Sequence, residues 1–130
     1  MKESFFKLKN QFTEDILFKK NNNFINKESS VNVDFFSDIN IEYINNTSAE
    51  VLLKFKVFSE EQFDNSPFFL MISQKGVFEW TNDTPRNTVE QLLNTNAPAV
   101  LLSYIRSLIS QITAFSGYPT LIVPLINFKK

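Results

Sequence analysis

Residues 94–128, NTNAPAVLLSYIRSLISQITAFSGYPTLIVPLINF, decide the fold class, because they hold the longest helical pattern, its stop signal and an unusual apolar tail. Thr95 or Asn96 can cap a helix, and Pro98 suits a first turn, where its missing N–H has no intrahelical partner. Gly117 ends it. Leu101, Tyr104, Ile105, Leu108, Ile112 and Phe115 recur at helical spacing, and Leu102 and Ile109 widen the apolar surface beyond one stripe, so more than one side is expected to be covered. The least apolar line is Ser103, Ser107, Ser110 and Ala114, all small, with Arg106 the lone charge of the helix. A solvated face normally carries Lys and Glu, so the line is read instead as a surface for self-association. Beyond Gly117, Pro119 and Pro124 forbid a continued helix or a central strand, and Leu121, Ile122, Val123, Leu125, Ile126 and Phe128 are expected to lie as an extended apolar strap.

The chain of 130 residues fits one domain, 1–130, and 43% hydrophobic content is enough for a core. Fifteen Phe are hard to bury in so small a unit, which points to a shared interface or a docking place for apolar ligands. A net charge of −1 leaves no electrostatic footprint for nucleic acid. With no Cys and no His, thiolate chemistry, disulfides, the commonest metal ligand and the commonest general base are all missing. Lys7 and Lys9 interrupt the opening Phe5-Phe6, so no secretory leader is read, and no apolar run approaches a membrane span. A soluble, cytoplasmic protein is expected.

Upstream, the periodicity is that of strands. Phe6, Leu8 and Phe12 alternate with Lys7, Lys9 and Gln11, and a slip near Thr13-Glu14-Asp15 before Ile16, Leu17 and Phe18 suggests a bulge. Residues 19–32 read as a long polar connection with Phe35 and Phe36 at its far edge. Ile39, Ile41 and Tyr43 make a second strand, and Asn45-Asn46-Thr47-Ser48 a turn. Val51, Leu53, Phe55 and Val57 alternate with Glu50, Lys54 and Lys56 in a third. Phe68, Leu70 and Ile72 alternate with Phe69, Met71 and Ser73 in a fourth that is apolar on both sides, with Gly76 marking a bulge. Thr84-Pro85 reads as the cap and first residue of a short helix through Leu93. The class is α+β: a four-stranded antiparallel sheet, a short helix and one long helix.

No catalytic constellation emerges. Glu60, Glu61 and Asp64 read as solubilising loop residues, Asp34 and Asp38 lack a second base or nucleophile, and Ser103, Ser107 and Ser110 have no His to activate them. A binding protein without enzymatic activity, metal or cofactor is expected.

Taken together, FKLKNQFTEDILF, AEVLLKFKVF, FFLMISQKGVF and NAPAVLLSYIRSLISQITAFSGYPTLIVPLINF resemble, in order and over nearly the whole chain, strands one, three and four and the long helix of SecB, the ATP-independent bacterial export chaperone. The resemblance extends to the glycine turn followed by an aromatic residue and proline, and to the Asn-Phe ending. It implies a homo-oligomer, a dimer or a dimer of dimers. Assembly would be governed by Phe68, Leu70, Ile72 and Gln74, with Ser103, Ser107 and Ser110 in the same interface. It further implies unfolded or pre-secretory polypeptide clients, held in apolar grooves whose matching residues are Phe35, Phe36, Tyr118, Leu121 and Val123; ordinary core packing is the competing role for Phe35 and Phe36. Two departures matter. The chain ends at Lys130, where the family continues into a further helix and tail, so it reads as truncated; and Lys19 and Met71 stand where acids contact the SecA motor, although Asp15 matches one, which puts delivery to SecA in doubt. The expected function is a holdase acting in protein export. The alternatives are an oligomeric adaptor or antitoxin-type chaperone with one dedicated partner, and an apolar small-molecule binder.

Overall fold

The computed structural model describes residues 5–25 and 31–128. Four strands, β1 (Phe6–Lys20), β2 (Phe35–Asn45), β3 (Ser48–Val57) and β4 (Phe68–Trp80), precede two helices, α1 (Arg86–Gln91) and α2 (Ala97–Phe115). The strands form one antiparallel sheet in the order β1-β4-β3-β2. This is the expected α+β arrangement.

The alternation in the sequence sets which side each residue takes. Val51, Leu53, Phe55 and Val57 of β3 and Phe68, Leu70, Ile72 and Phe78 of β4 are buried beneath the helical layer. That layer contributes Leu101, Ile105 and Ile109, all fully buried. Each such side chain stabilises the fold by about 1.5–3 kcal/mol relative to exposure. The Asn45–Ser48 turn is closed by the Asn45 side chain, whose Oδ1 accepts from the Thr47 N–H at 2.9 Å and from the Ser48 hydroxyl at 2.9 Å.

The slip read near Thr13-Glu14-Asp15 is a break in register between Thr13 and Asp15 opposite Gln74 and Ser73, and a second break lies between Leu8 and Asn10. Both extra residues sit on β1. β4 itself runs unbroken, so Gly76 is not a bulge. A Cβ there would stand 2.9 Å from Leu101 Cδ2 and 3.2 Å from Leu8 Cδ1, so the glycine makes room for α2 to close on the sheet.

Three other expectations change. β2 begins at Phe35, so Phe35 and Phe36 are strand residues and not the rim of a loop. Pro85 is the cap residue of α1, which starts at Arg86, and no side chain caps it. Neither Thr95 nor Asn96 caps α2, because the chain stays helical from α1 into α2 through a π turn, Leu92–Asn96, in which the Ala97 N–H reaches the Leu92 carbonyl five residues back. The polar side chains bond backwards instead: Asn94 Nδ2 donates to Glu90 O at 2.7 Å and Thr95 Oγ1 to Gln91 O at 2.6 Å. Pro98 explains the widening, since in a regular helix its ring collides with the carbonyl four residues earlier.

Two local features frame the ends of the sheet. Phe58 adopts a left-handed φ of 63°. That costs a bulky residue about 1–2 kcal/mol, offset because its ring is buried edge-on to Phe68 at 5.1 Å. At the opposite end Trp80 donates from Nε1 to Asn46 O at 3.0 Å, stacks on Phe6 and meets Tyr43 edge-on, while the Arg86 guanidinium lies 4.2 Å over the Tyr43 ring.

Candidate functional site

α2 ends where Gly117, at φ 87°, lets the chain reverse. Tyr118 then anchors the return: its N–H donates to Thr113 O at 3.1 Å, its hydroxyl to Pro67 O at 2.9 Å, and its ring packs on Phe68 at 4.9 Å. Lys20 reinforces the anchor, with its ammonium donating to Ser116 O at 3.1 Å and lying 5.2 Å from the Tyr118 ring. The strap belongs to no strand and runs back along α2. Arg106 Nε donates to Val123 O at 2.6 Å, Ser110 Oγ donates to Leu121 O at 2.9 Å, and the buried Thr113 hydroxyl accepts from the Leu121 N–H at 3.0 Å. Val123 is fully buried, while Ile122 is 72% and Leu125 85% exposed.

The residues expected to bind clients therefore divide. Phe36 points away from the helical layer and is 46% exposed. Phe35 points the other way, stacking on Phe55 at 5.7 Å, which is the core-packing role. Tyr118 and Leu121 are half-buried at the strap. Val123 offers no surface, because its side chain is part of the subunit's own core. Ile122 and Leu125, read from the sequence only as strap residues, stand in solvent, as does Phe115, 87% exposed in the last turn of α2. Alternation from the buried Val123 would have marked Ile122 as outward, but in a run of apolar residues no polar neighbour tells the two sides apart.

The residues expected at a subunit interface divide in the same way. Phe68, Leu70, Ile72 and Gln74 lie inside the subunit, at 5%, 0%, 0% and 1% exposure, beneath α2. Within the subunit all four are core residues. Gln74 is satisfied within the subunit, donating to Gln11 Oε1 and accepting from Thr13 Oγ1 at 2.6 Å. Ser110 is likewise spent on the strap. Ser103 and Ser107 remain exposed on α2 and, with Tyr104, Leu108, Gln11, Phe12, Thr13 and Gln74, line an open cleft of about 540 Å3 between α2 and β1.

On the far face of the sheet Lys75 bridges β1 and β3. Its ammonium pairs with Glu50 at 2.7 Å and Glu14 at 3.1 Å, and these hydrogen bonds, Glu50 first, hold it above its usual 10.5. The Tyr118 phenol is raised above 10.0 by burial. Both groups keep their protons at neutral pH. Among the described residues no group of three or more acidic, His or Cys side chains is placed to hold a metal ion, and no helix is long and apolar enough to cross a membrane.

The architecture is a sheet covered on one side by a long helix, with an extended strap returning along that helix. The family model for the preprotein translocase subunit SecB matches residues 1–130, and the chain belongs to the SecB family, a family of chaperones. An uncharacterised protein of Methanocaldococcus jannaschii is 31% identical over 103 residues, covering 78% of this chain and 66% of its own length. The protein-export protein SecB of Saccharophagus degradans is 27% identical over 126 residues, covering 95% of this chain and 74% of its own. The fold is similar to that of a SecB-like chaperone of Mycobacterium tuberculosis, solved in complex with an antitoxin peptide, at a TM-score of 0.70 and 10% identity over 94% of this chain and 88% of that one.

Proposed function

We propose that the chain acts, as one SecB-like domain, to hold unfolded or pre-secretory polypeptide in the cytoplasm without ATP, metal or catalysis. The observation that carries this reading is the presence, in a SecB-family fold, of large apolar side chains standing in solvent on the last turn of α2 and along the strap: Phe115 at 87%, Ile122 at 72% and Leu125 at 85% exposure. Tyr118 and Leu121 at the base of the strap extend this surface, and Phe36, on the opposite face of the sheet with Phe35 turned to the core behind it, offers a separate apolar contact. Covering one such side chain is worth up to about 1.5–3 kcal/mol, and ordering the client removes part of that gain. Affinity of this kind is broad and only weakly dependent on sequence.

Assembly into a dimer or a dimer of dimers through the exposed Ser103 and Ser107 face of α2 would bring several such surfaces together. The far face of the sheet carries Asp15 but also Lys19 and Met71, so docking on SecA is not part of the proposal. The test is refolding of two unrelated aggregation-prone proteins with stoichiometric amounts of the chain and no nucleotide. Suppressed aggregation of both is expected, reduced when Ile122 and Leu125 are replaced by Ser. The antitoxin peptide on the M. tuberculosis structure favours a second reading, a dedicated chaperone for one partner. That reading takes over if neither protein is affected.

A further inference from the structure

The strap is held in an unusual way. The contacts of Arg106, Ser110 and Thr113 are all to peptide groups of Leu121 and Val123, which any residue could supply. The three side chains lie three or four residues apart, on one line of α2. Beneath them Leu121 and Val123 point inward while Ile122, between them, points out at 72% exposure. This flank of α2 is thus a seat for an extended backbone with apolar side chains at alternate positions. Pro119 and Pro124 bracket the held stretch and lack the N–H with which a segment joins a sheet. The near end is fixed separately, by the Tyr118 hydroxyl on Pro67 and by Lys20 on Ser116.

We propose that this flank of α2 is a binding site for extended apolar segments of a foreign chain, and that residues 119–128 are its exchangeable internal occupant. A client segment enters this seat by displacing the strap, while the exposed Phe115, Ile122 and Leu125 meet other parts of the client. Tyr118 stays anchored, and the strap swings from there. The inference deepens the holdase reading and rests on it, since displacement has a purpose only if foreign chain is bound. It also reverses the sign of an otherwise obvious expectation. If the strap were a fixed wall of the groove, loosening it would weaken binding; as an occupant, loosening it strengthens binding, because apparent affinity scales with the fraction of molecules whose site is open.

The test uses a fluorescein-labelled synthetic peptide, TLIVPLINF, corresponding to residues 120–128, titrated by anisotropy into the full chain and its variants. Val123→Asp evicts the strap and leaves Arg106, Ser110 and Thr113 in place. The peptide is expected to bind this variant at least tenfold more tightly than the parent chain, and addition of Arg106→Ala to reverse the gain. Because a buried aspartate threatens the fold, Leu121→Gln, at a half-buried position, is run beside it, and circular dichroism confirms that each variant is folded. Independently of any variant, saturating the parent chain with peptide is expected to speed hydrogen–deuterium exchange of the Leu121 amide, whose N–H donates to Thr113. Equal or weaker binding by a folded variant, or unchanged exchange at the Leu121 amide, overturns the proposal. Peptide exchange without suppression of aggregation removes the holdase reading and keeps the site; suppression without exchange does the reverse.

Discussion

Thr113→Val isolates the hydrogen bond that ties the strap to α2. The Thr113 side chain is fully buried, its hydroxyl donates to Ile109 O at 2.9 Å, and it accepts from the Leu121 N–H at 3.0 Å. Valine keeps the shape, and the Ile109 carbonyl keeps its place in the helical ladder. What is lost is the acceptor for Leu121, and an unpaired buried donor costs about 1–3 kcal/mol. A methyl in place of the hydroxyl returns up to about 0.8 kcal/mol, and Leu121 is only half-buried, so a net loss of about 1–2 kcal/mol is expected. For a chain of 130 residues, that is a fall in Tm of about 3–8 °C. Urea denaturation should show a lower midpoint with an unchanged slope, and hydrogen–deuterium exchange should accelerate at Leu121 ahead of the sheet. Thr113→Ser, which retains the hydroxyl, should keep the protection of Leu121. If Thr113→Val matches the parent chain in both midpoint and exchange, α2 does not recognise the backbone of the strap and the reasoning about its grip fails.

The raised values of Tyr118 and Lys75 mean that the folded chain retains protons that the unfolded chain has released. Their contribution is therefore fully present below about pH 10 and is lost as pH climbs through the folded values. In an ultraviolet titration Tyr118 should ionise later than free tyrosine, and Tyr118→Phe should abolish that late step; a titration unchanged by Tyr118→Phe at its alkaline end would contradict the burial argument. Ser107→Glu should leave the circular dichroism of the subunit unchanged while lowering its mass in sedimentation, whereas Ile72→Asp, which places a charge at a fully buried position, should unfold the subunit. An unchanged mass for Ser107→Glu would exclude this face of α2 as the interface.

The sequence made the fold legible where polar and apolar residues contrast. β3 alternates with Leu52 the one apolar residue on its polar side, and the apparent flaw in β1, at Thr13-Glu14-Asp15, is a real change of register. Legibility fails where contrast fails. Phe35 and Phe36 are adjacent, chemically identical and flanked by Asp34, Ser37 and Asp38, so only pairing with Val57 and Lys56 reveals that one faces the core and the other solvent. The strap poses the same problem: Val123 was a candidate for client binding and Ile122 was not, yet in the subunit Val123 is buried and Ile122 is exposed. Gly76 was read through its backbone freedom, while its value lies in the missing Cβ beneath Leu101. Thr95 and Asn96 have the chemistry of helix caps, but a cap needs a helix that starts there, and α1 already supplies the preceding turns. The polar line on α2 was legible as a line; that Ser110 faces the strap while Ser103 and Ser107 do not depends on where the chain returns after Gly117, which local pattern does not encode.

The π turn at Leu92–Asn96 sets a phase. Val89, Leu93, Ala97, Leu101, Ile105, Ile109 and Thr113 are all buried, spaced four apart along the chain. A regular α-helix advances about 100° per residue, so such a row would drift by about 40° at every step. The wider turn takes back part of that drift midway, and the residues beyond it arrive rotated toward the sheet. Arg106, Ser110 and Thr113 inherit this rotation. Their aim at the strap is set a dozen or so residues upstream. Removing one residue from the turn would leave every one of those side chains intact and swing all of them round the helix together, a change of function written as a change of angle.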